Sequence, residues 1–248
     1  MTHMWALYAR EVQRFRKLWL DTVFSPIVSV GLYLSVFGIV VGTKTVGDLS
    51  YLQFIYTGLL SMMIVNSSFS NPGFALIIAK NVGTMIDLQL APIKAWKIGL
   101  AYALAALTRG LVTLVVAVLA TIWFIPSFGL HNIFYLVGGI VLTGIEFGML
   151  GVVFGMKAKN FEALTFMTTF VMQPMIFLAG VFYPIAQLPG IFGKIAAFNP
   201  VHHNINIMRY GATGYSDGSV LISLGVVCIL SLVLFVLMQI VTKKHIRL

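Results

Sequence analysis

The sequence predicts an all-α integral membrane protein. Six helices cross the bilayer, an amphipathic helix lies in the interface ahead of the first, and an external re-entrant helical hairpin sits between the fifth and sixth. Three observations predict this. The 248-residue chain is 59% hydrophobic and 9% charged, with mean hydropathy +0.98, whereas soluble domains carry roughly 25% charged residues. The apolar runs are about 20 residues long, which fits helices across a ~30 Å hydrocarbon core rather than ~10-residue barrel strands. Between residues 178 and 209 the chain stays apolar although Pro184, Pro189, Pro200 and three glycines interrupt it. Broken backbone at membrane depth is tolerated only where protein or a cavity shields it, so such a segment dips into the bilayer and returns.

The first element is a helix over residues 3–21. Trp5, Tyr8, Val12, Phe15 and Trp19 share one face, and Arg10, Arg14 and Lys17 another. This pattern suits a helix in the interface plane, aromatics down and cations toward anionic head groups. The alternative is a plain extension of the first spanning helix. The spans follow at about 23–42, 52–71, 96–125, 133–156, 161–183 and 219–241. Twelve of the sixteen Lys and Arg then fall on one side, and Lys44, Lys194 and Arg209 on the other, with Arg109 inside the membrane. The excess of cations marks the cytoplasmic side and puts both termini there. Charged residues precede any long apolar run, which does not suit a secretory signal. No linker or low-complexity stretch divides the chain, so residues 1–248 read as a single domain.

Two segments outside the spans are distinctive. In the cytoplasmic stretch 71–96, Pro72 and Gly73 break the second helix, and a short mixed segment runs on to Pro92. In the external segment 184–215, the string Gly-Val-Phe-Tyr-Pro over 180–184 precedes Leu188-Pro189, Asn199-Pro200 and finally Arg209. Together these resemble the ABC-2 type exporter permeases, whose outer hairpin and cytoplasmic loop carry similar patterns. Gly83, Thr84, Leu88 and Pro92 match the loop, and Tyr51, Gln53, Phe54 and Gly58 match the opening of helix two. The acidic residue usual before the glycine is replaced by Asn81 and Val82, with Asp87 further on.

The resemblance implies the compact six-helix exporter fold, in which two permeases pair as a homodimer and bind two separate ATPase subunits. It implies that residues 74–92 form the coupling region, with Lys80, Asn81, Gly83, Thr84, Asp87, Leu88 and Pro92 meeting the ATPase. It implies that helices one, two and five line the substrate route, and that Phe182, Tyr183, Pro184, Asn199, Pro200 and His202 form the outer gate. It also implies a bacterial inner (cytoplasmic) membrane location.

The chain itself has no G-x-x-x-x-G-K-[ST] loop; the string from Gly190 to Ile195 lacks the spacing and the hydroxyl. Without that loop nothing wraps a β-phosphate or holds Mg²⁺. ATP and Mg²⁺ are therefore expected on a partner, and no cofactor on this chain.

Arg109 and Glu146 are the intramembrane charges. Each lies roughly 17 Å from the cytoplasmic end of its helix, at 1.5 Å per residue. Pairing would offset a burial cost of at least ~2.5–3.5 kcal/mol, so an ion pair joining helices three and four is expected; a proton or substrate-charge site is the other reading. Gly144, Gly148, Gly151 and Gly155 form one small-residue packing stripe on helix four. Helix five places Glu162, Thr165, Thr169 and Gln173 on one face among Met172, Phe177 and other soft side chains, and Ser61 and Asn66 on helix two are their companions. These are candidate pathway residues; the alternative is threonines bonding back to the preceding turn. His202 and His203 lack metal-ligand neighbours at useful spacing, and anchoring the hairpin is favoured over zinc. No catalytic constellation is visible.

The expected function is the non-catalytic permease subunit of an ATP-driven exporter that moves an amphiphile outward: a drug, a lipid or a lipid-linked glycan. The alternative is an integral membrane enzyme acting on lipids, using His202, His203 and Asp217.

Overall fold

The computed structural model describes residues 2–17, 20, 24–41, 44–125 and 129–246. It is almost wholly helical. Four described helices are long and apolar enough to cross a membrane: α3 (Tyr51–Val82), α5 (Ala95–Thr121, extended by a 3₁₀ turn to Phe124), α6 (Ile133–Lys157) and α11 (Val220–Ile246). Two shorter apolar rods accompany them. One is α2 (Ser25–Val41). The other combines α7 (Phe161–Met167), a π-helical turn (Thr168–Met172) and α8 (Gln173–Phe177). The remaining helices are α1 (Thr2–Lys17), α4 (Met85–Leu90), α9 (Ile191–Ala197) and α10 (Pro200–Thr213). A small antiparallel hairpin, Thr45–Val46 with Leu49–Ser50, joins α2 to α3.

The longest helix, α3, is the hub; α2, α5, α6 and α10 all pack on it. Ser50 and Gln53 close a reciprocal capping box at its start, and Gly83 ends it at φ +82°. The helix runs unbroken through Pro72, contrary to the expected break. Proline removes the N–H that would bond the Ser68 carbonyl one turn back. Packing holds the turn in line: the Pro72 ring lies against Gly151 of α6. A proline turn buried between helices is tolerated in membrane proteins.

Helix five ends early, at Phe177 rather than 183. Pro174 cannot donate, and the turn ahead of it widens so that the Gln173 N–H reaches back five residues to Thr168. Gly180 then reverses the chain at φ +81°.

The glycine stripe of α6 serves two neighbours rather than one. Gly144 and Gly148 meet Leu107 and Ala103 of α5, while Gly151 and Gly155 meet Phe69 and Gly73 of α3. A Cβ on Gly155 would stand 2.9 Å from the Gly73 Cα, and one on Gly151 would run into the Phe69 carbonyl. The stripe therefore seats α6 in the groove between α3 and α5.

Helix α1 packs on the protein with a different face from the one expected. Leu7, Glu11 and Phe15 are buried, whereas Trp5 is exposed. Arg10 donates to the Tyr102 hydroxyl at 3.1 Å, and Arg14 reaches Asn71 Oδ1 at 3.1 Å. Both also pair with Glu11 of α1, Arg10 at 3.3 Å and Arg14 at 2.9 Å, so these cations engage polar groups of the protein although Arg10 stays exposed. Trp19 lies outside the described residues. Helix α11, by contrast, presents mostly exposed leucine, isoleucine and valine along its length.

Candidate functional site

A cavity of about 470 Å³ lies between α2, α3, α5 and α8. Ser25, Pro26, Ser29, Val30 and Tyr33 come from α2; Leu59, Met62, Met63, Asn66, Ser67 and Ser70 from α3; Arg109 from α5; and Gln173 from α8. Helix periodicity explains the α3 wall, since these positions recur every three or four residues. The size falls within the ~300–1,000 Å³ typical of small-molecule sites.

An aromatic cluster adjoins one end. Tyr33 lines the cavity, and its ring centroid is 5.6 Å from that of Phe182. Phe182 in turn stacks at 5.3 Å on Phe37 and 5.5 Å on Phe177. The turn after α8 delivers Phe182 there. Tyr51 Oη donates to the Phe182 carbonyl at 2.8 Å, and Tyr183 Oη to the Phe177 carbonyl at 2.7 Å.

Of the expected pathway residues, Asn66 and Gln173 line the cavity. Ser61 and Met172 are buried in the core, and Ser61 Oγ bonds back to the Thr57 carbonyl at 2.8 Å. Thr165, Thr169 and Phe177 face outward from the chain, and Thr165 Oγ1 bonds back to the Phe161 carbonyl at 3.0 Å.

Arg109 and Glu146 do not form the expected ion pair. Arg109 Nη1 lies 3.5 Å from Asn71 Oδ1 and borders the cavity. Glu146 accepts from Asn204 Nδ2 of α10 at 2.8 Å, and Thr143 Oγ1 donates to Asn204 Oδ1 at 2.8 Å. The reason is rotational. Glu146 lies ~200° around the helix from Gly144, and Gly144 faces α5, so the carboxylate points to α10 instead.

Among the coupling candidates, Lys80 is committed elsewhere. Its Nζ donates to the carbonyls of Gly155, Met156 and Ala158 at 2.9, 2.6 and 2.8 Å. All three ammonium donors thus close the C-terminus of α6, where a cation also suits the helix dipole. Leu88 is buried, while Asn81, Gly83, Thr84, Asp87 and Pro92 are exposed. Beside them stand Val82, Ile86 and Leu90, exposed by 69%, 58% and 76% and spaced four apart.

On the opposite side of the fold, Arg209 is buried to 1% exposure. Its guanidinium donates to Thr57 Oγ1 at 3.2 Å, Asp217 Oδ2 at 3.2 Å and the Gly180 carbonyl at 2.8 Å, and its Cζ lies 3.7 Å from the Phe54 ring centroid. One side chain so ties α10 to α3, to the turn after α8 and to the turn before α11. Burial pushes the Asp217 carboxyl up, and the Arg209 charge pulls it back down. Beside it, the Tyr215 hydroxyl is pushed up to about 12 by burial and then by Asp217.

Asn199 caps α10 by accepting from the Val201 N–H at 3.0 Å and donates to the Met175 carbonyl of α8. Pro184 is buried, and Pro200 opens α10 as its first residue. His202 meets the Ala179 carbonyl at 3.4 Å, and His203 meets Ser223 Oγ at 3.1 Å and the Ala197 carbonyl at 3.0 Å. His202 thus ties α10 to the turn after α8, and His203 ties it to α9 and α11. No group of three potential metal ligands occurs among the described residues, and Asp217 is held by Arg209 rather than aligned with a histidine.

Sequence reasoning missed Arg209, Lys80 and Tyr33 in these roles. A cation inside a mostly apolar helix was the available signal for Arg209, with Asp217 eight residues on.

The profile of the ABC-2 type transporter family matches residues 2–213. The chain belongs to the ABC-2 type transporter family. It is 30% identical over 227 residues to the inner membrane transport permease YadH of Escherichia coli K12, covering 90% of this chain and 88% of that protein. Nodulation protein J of Rhizobium leguminosarum bv. trifolii is 27% identical over 254 residues, covering 97% of this chain and 92% of that protein. This ABC-2 chain is thus a membrane protein of the transport-permease family, with a cavity between α2, α3, α5 and α8.

Proposed function

We propose that this chain is the permease subunit of an ATP-binding cassette exporter in a bacterial inner membrane, and that it moves an amphiphile outward as a homodimer bound to two ATPase subunits. ATP and Mg²⁺ belong to those partners. The observation that carries the reading is the cavity: polar at one end, apolar and aromatic at the other, as an amphiphile requires. In this reading α2, α3, α5, α6, the α7–α8 rod and α11 are the six spans, both termini are cytoplasmic, and residues 184–215 form the re-entrant outer hairpin of a single domain.

Phe182 with Phe37, Phe177 and Tyr33 closes the outer end of the cavity, and the Asn199 cap and His202 hold the hairpin that carries this gate. The exposed faces of Thr165, Thr169, Phe166 and Phe170 meet the second copy. At the cytoplasmic side, Val82, Ile86 and Leu90 form the apolar dock for the ATPase, flanked by Asn81, Gly83, Thr84, Asp87 and Pro92. Exposed apolar side chains on a cytoplasmic turn otherwise have no reason to cluster. Lys80 joins that dock to α6.

Co-purification tests the reading. The permease should retain a soluble ATP-binding subunit, and replacing residues 83–90 with a Gly-Ser linker should abolish that association while the protein stays monodisperse. Retention of the ATPase at unchanged affinity would remove α4 from the dock.

A further inference from the structure

Three carboxyl side chains are buried among the described residues, and two of them have a guanidinium. Glu11 meets Arg10 and Arg14, and Asp217 meets Arg209. The third, Glu146, is 1% exposed and forms no ion pair with any described residue. It lies thirteen residues from Ile133 and eleven from Lys157, roughly 20 and 17 Å from the ends of α6.

Its Oε2 accepts from Asn204 Nδ2 at 2.8 Å, and its Oε1 has no partner. An ionised carboxylate offers about four acceptor positions and a full charge. One neutral amide N–H leaves that charge unbalanced in a site without water. A neutral acid suits the same contacts, with Oε2 as the carbonyl oxygen that takes the amide bond and Oε1 as the hydroxyl. The site is a joint between two helices. Helix α10 runs antiparallel to α6, with Gly211 against Leu136, Met208 against Gly139 and Asn204 against Thr143.

Charged and titratable groups on the helices packed against α6 are engaged elsewhere. On α3, Lys80 closes the end of α6 and the Tyr56 hydroxyl meets Thr121. On α5, Tyr102 meets Arg10, and Arg109 approaches Asn71. On α10, His202 meets the Ala179 carbonyl, His203 meets Ser223, and Arg209 meets Asp217. On α11, Cys228 is exposed, and Lys243, Lys244 and His245 occupy the last turn.

We propose that Glu146 is a proton-binding site: it carries a proton while α10 is packed on α6, and it gives that proton to water when the joint opens. The closed joint holds a proton that the open joint releases, so raising the pH favours opening. Asn204 reads the state of the acid, since its amide is the one donor that Glu146 has.

The test uses the full-length permease in dodecyl maltoside, a detergent without carbonyl groups. Its infrared spectrum at neutral pH should contain the carbonyl stretch of a protonated carboxyl, and Glu146→Gln should remove that stretch. Hydrogen exchange of the peptide spanning Pro200–Thr213 reads the joint. Wild type and Glu146→Gln are compared at each pH, so that intrinsic exchange cancels. The two should exchange alike in weak acid. As the pH rises, the wild type should open more than the variant, by up to about tenfold per pH unit, the slope of one released proton.

A wild-type spectrum without the acid stretch overturns the proposal, and that measurement needs no variant to fold. A stretch that survives in monodisperse Glu146→Gln belongs to another acid and overturns it too. An exchange ratio that stays flat with pH also overturns it, because the proton would then not be released at this joint. Neither readout involves cargo or an ATPase, so each of these failures leaves the transport reading standing.

Discussion

Buried Arg209 and half-buried Arg109 show how differently one side chain can be used in one fold. Arg209 is saturated. It has a carboxylate, a hydroxyl, a backbone carbonyl and an aromatic face, each supplied by a different segment. Arg109 is half-buried, with Asn71 Oδ1 at 3.5 Å and a cavity at its side. The first arrangement holds the outer half together; the second sets a cation in the wall of a space between helices. A membrane arginine therefore marks a joint where acceptors from several segments converge on it.

The largest effect should come from breaking the saturated arginine. Arg209→Leu leaves Asp217 buried without its counter-charge and should lower stability by about 3–5 kcal/mol, read as a fall in the thermal midpoint in detergent. An unchanged midpoint would mean that the outer network is dispensable. Next is the groove that holds both halves on a common α6. Gly151→Leu drives a side chain into the Phe69 carbonyl and should cost about 1–3 kcal/mol or more, whereas Gly225→Leu, which meets nothing within 4 Å, should be near neutral in the same assay.

Lys80→Met tests the inner counterpart of Arg209. It leaves three carbonyls at the end of α6 without donors and should cost about 1–2 kcal/mol, with hydrogen exchange accelerated at residues 153–158 first. The smallest effect is a coupling energy. Arg109 and Glu146 face different helices, so the Arg109→Gln and Glu146→Gln changes should add within about 0.5 kcal/mol. A coupling well above that would restore the pair that the sequence suggested and take Arg109 away from the cavity.

Much of this was legible in the chain. The span at 133–156 is observed as Ile133–Lys157. Asn66 and Gln173 were readable as polar residues that avoid lipid, and both line the cavity. Thr165 illustrates the limit: a threonine on an apolar helix can satisfy itself one turn back, and it does. Pro72 illustrates another. Its local preference is to break a helix, yet α3 continues with the Pro72 ring seated against Gly151.

By itself, the sequence determined that this protein lives in a membrane, which stretches are helical rods and which family they belong to. Hydrophobicity, length and glycine or proline punctuation act locally, so they can be read residue by residue. Tertiary structure alone decided which buried charges meet, that Lys80 closes another helix rather than facing a partner, and that four helices leave a half-polar space between them. Those outcomes depend on how each helix is rotated about its axis, and the rotation is set by close contacts such as Gly148 on Ala103 and Gly155 on Gly73, formed between residues far apart in the chain.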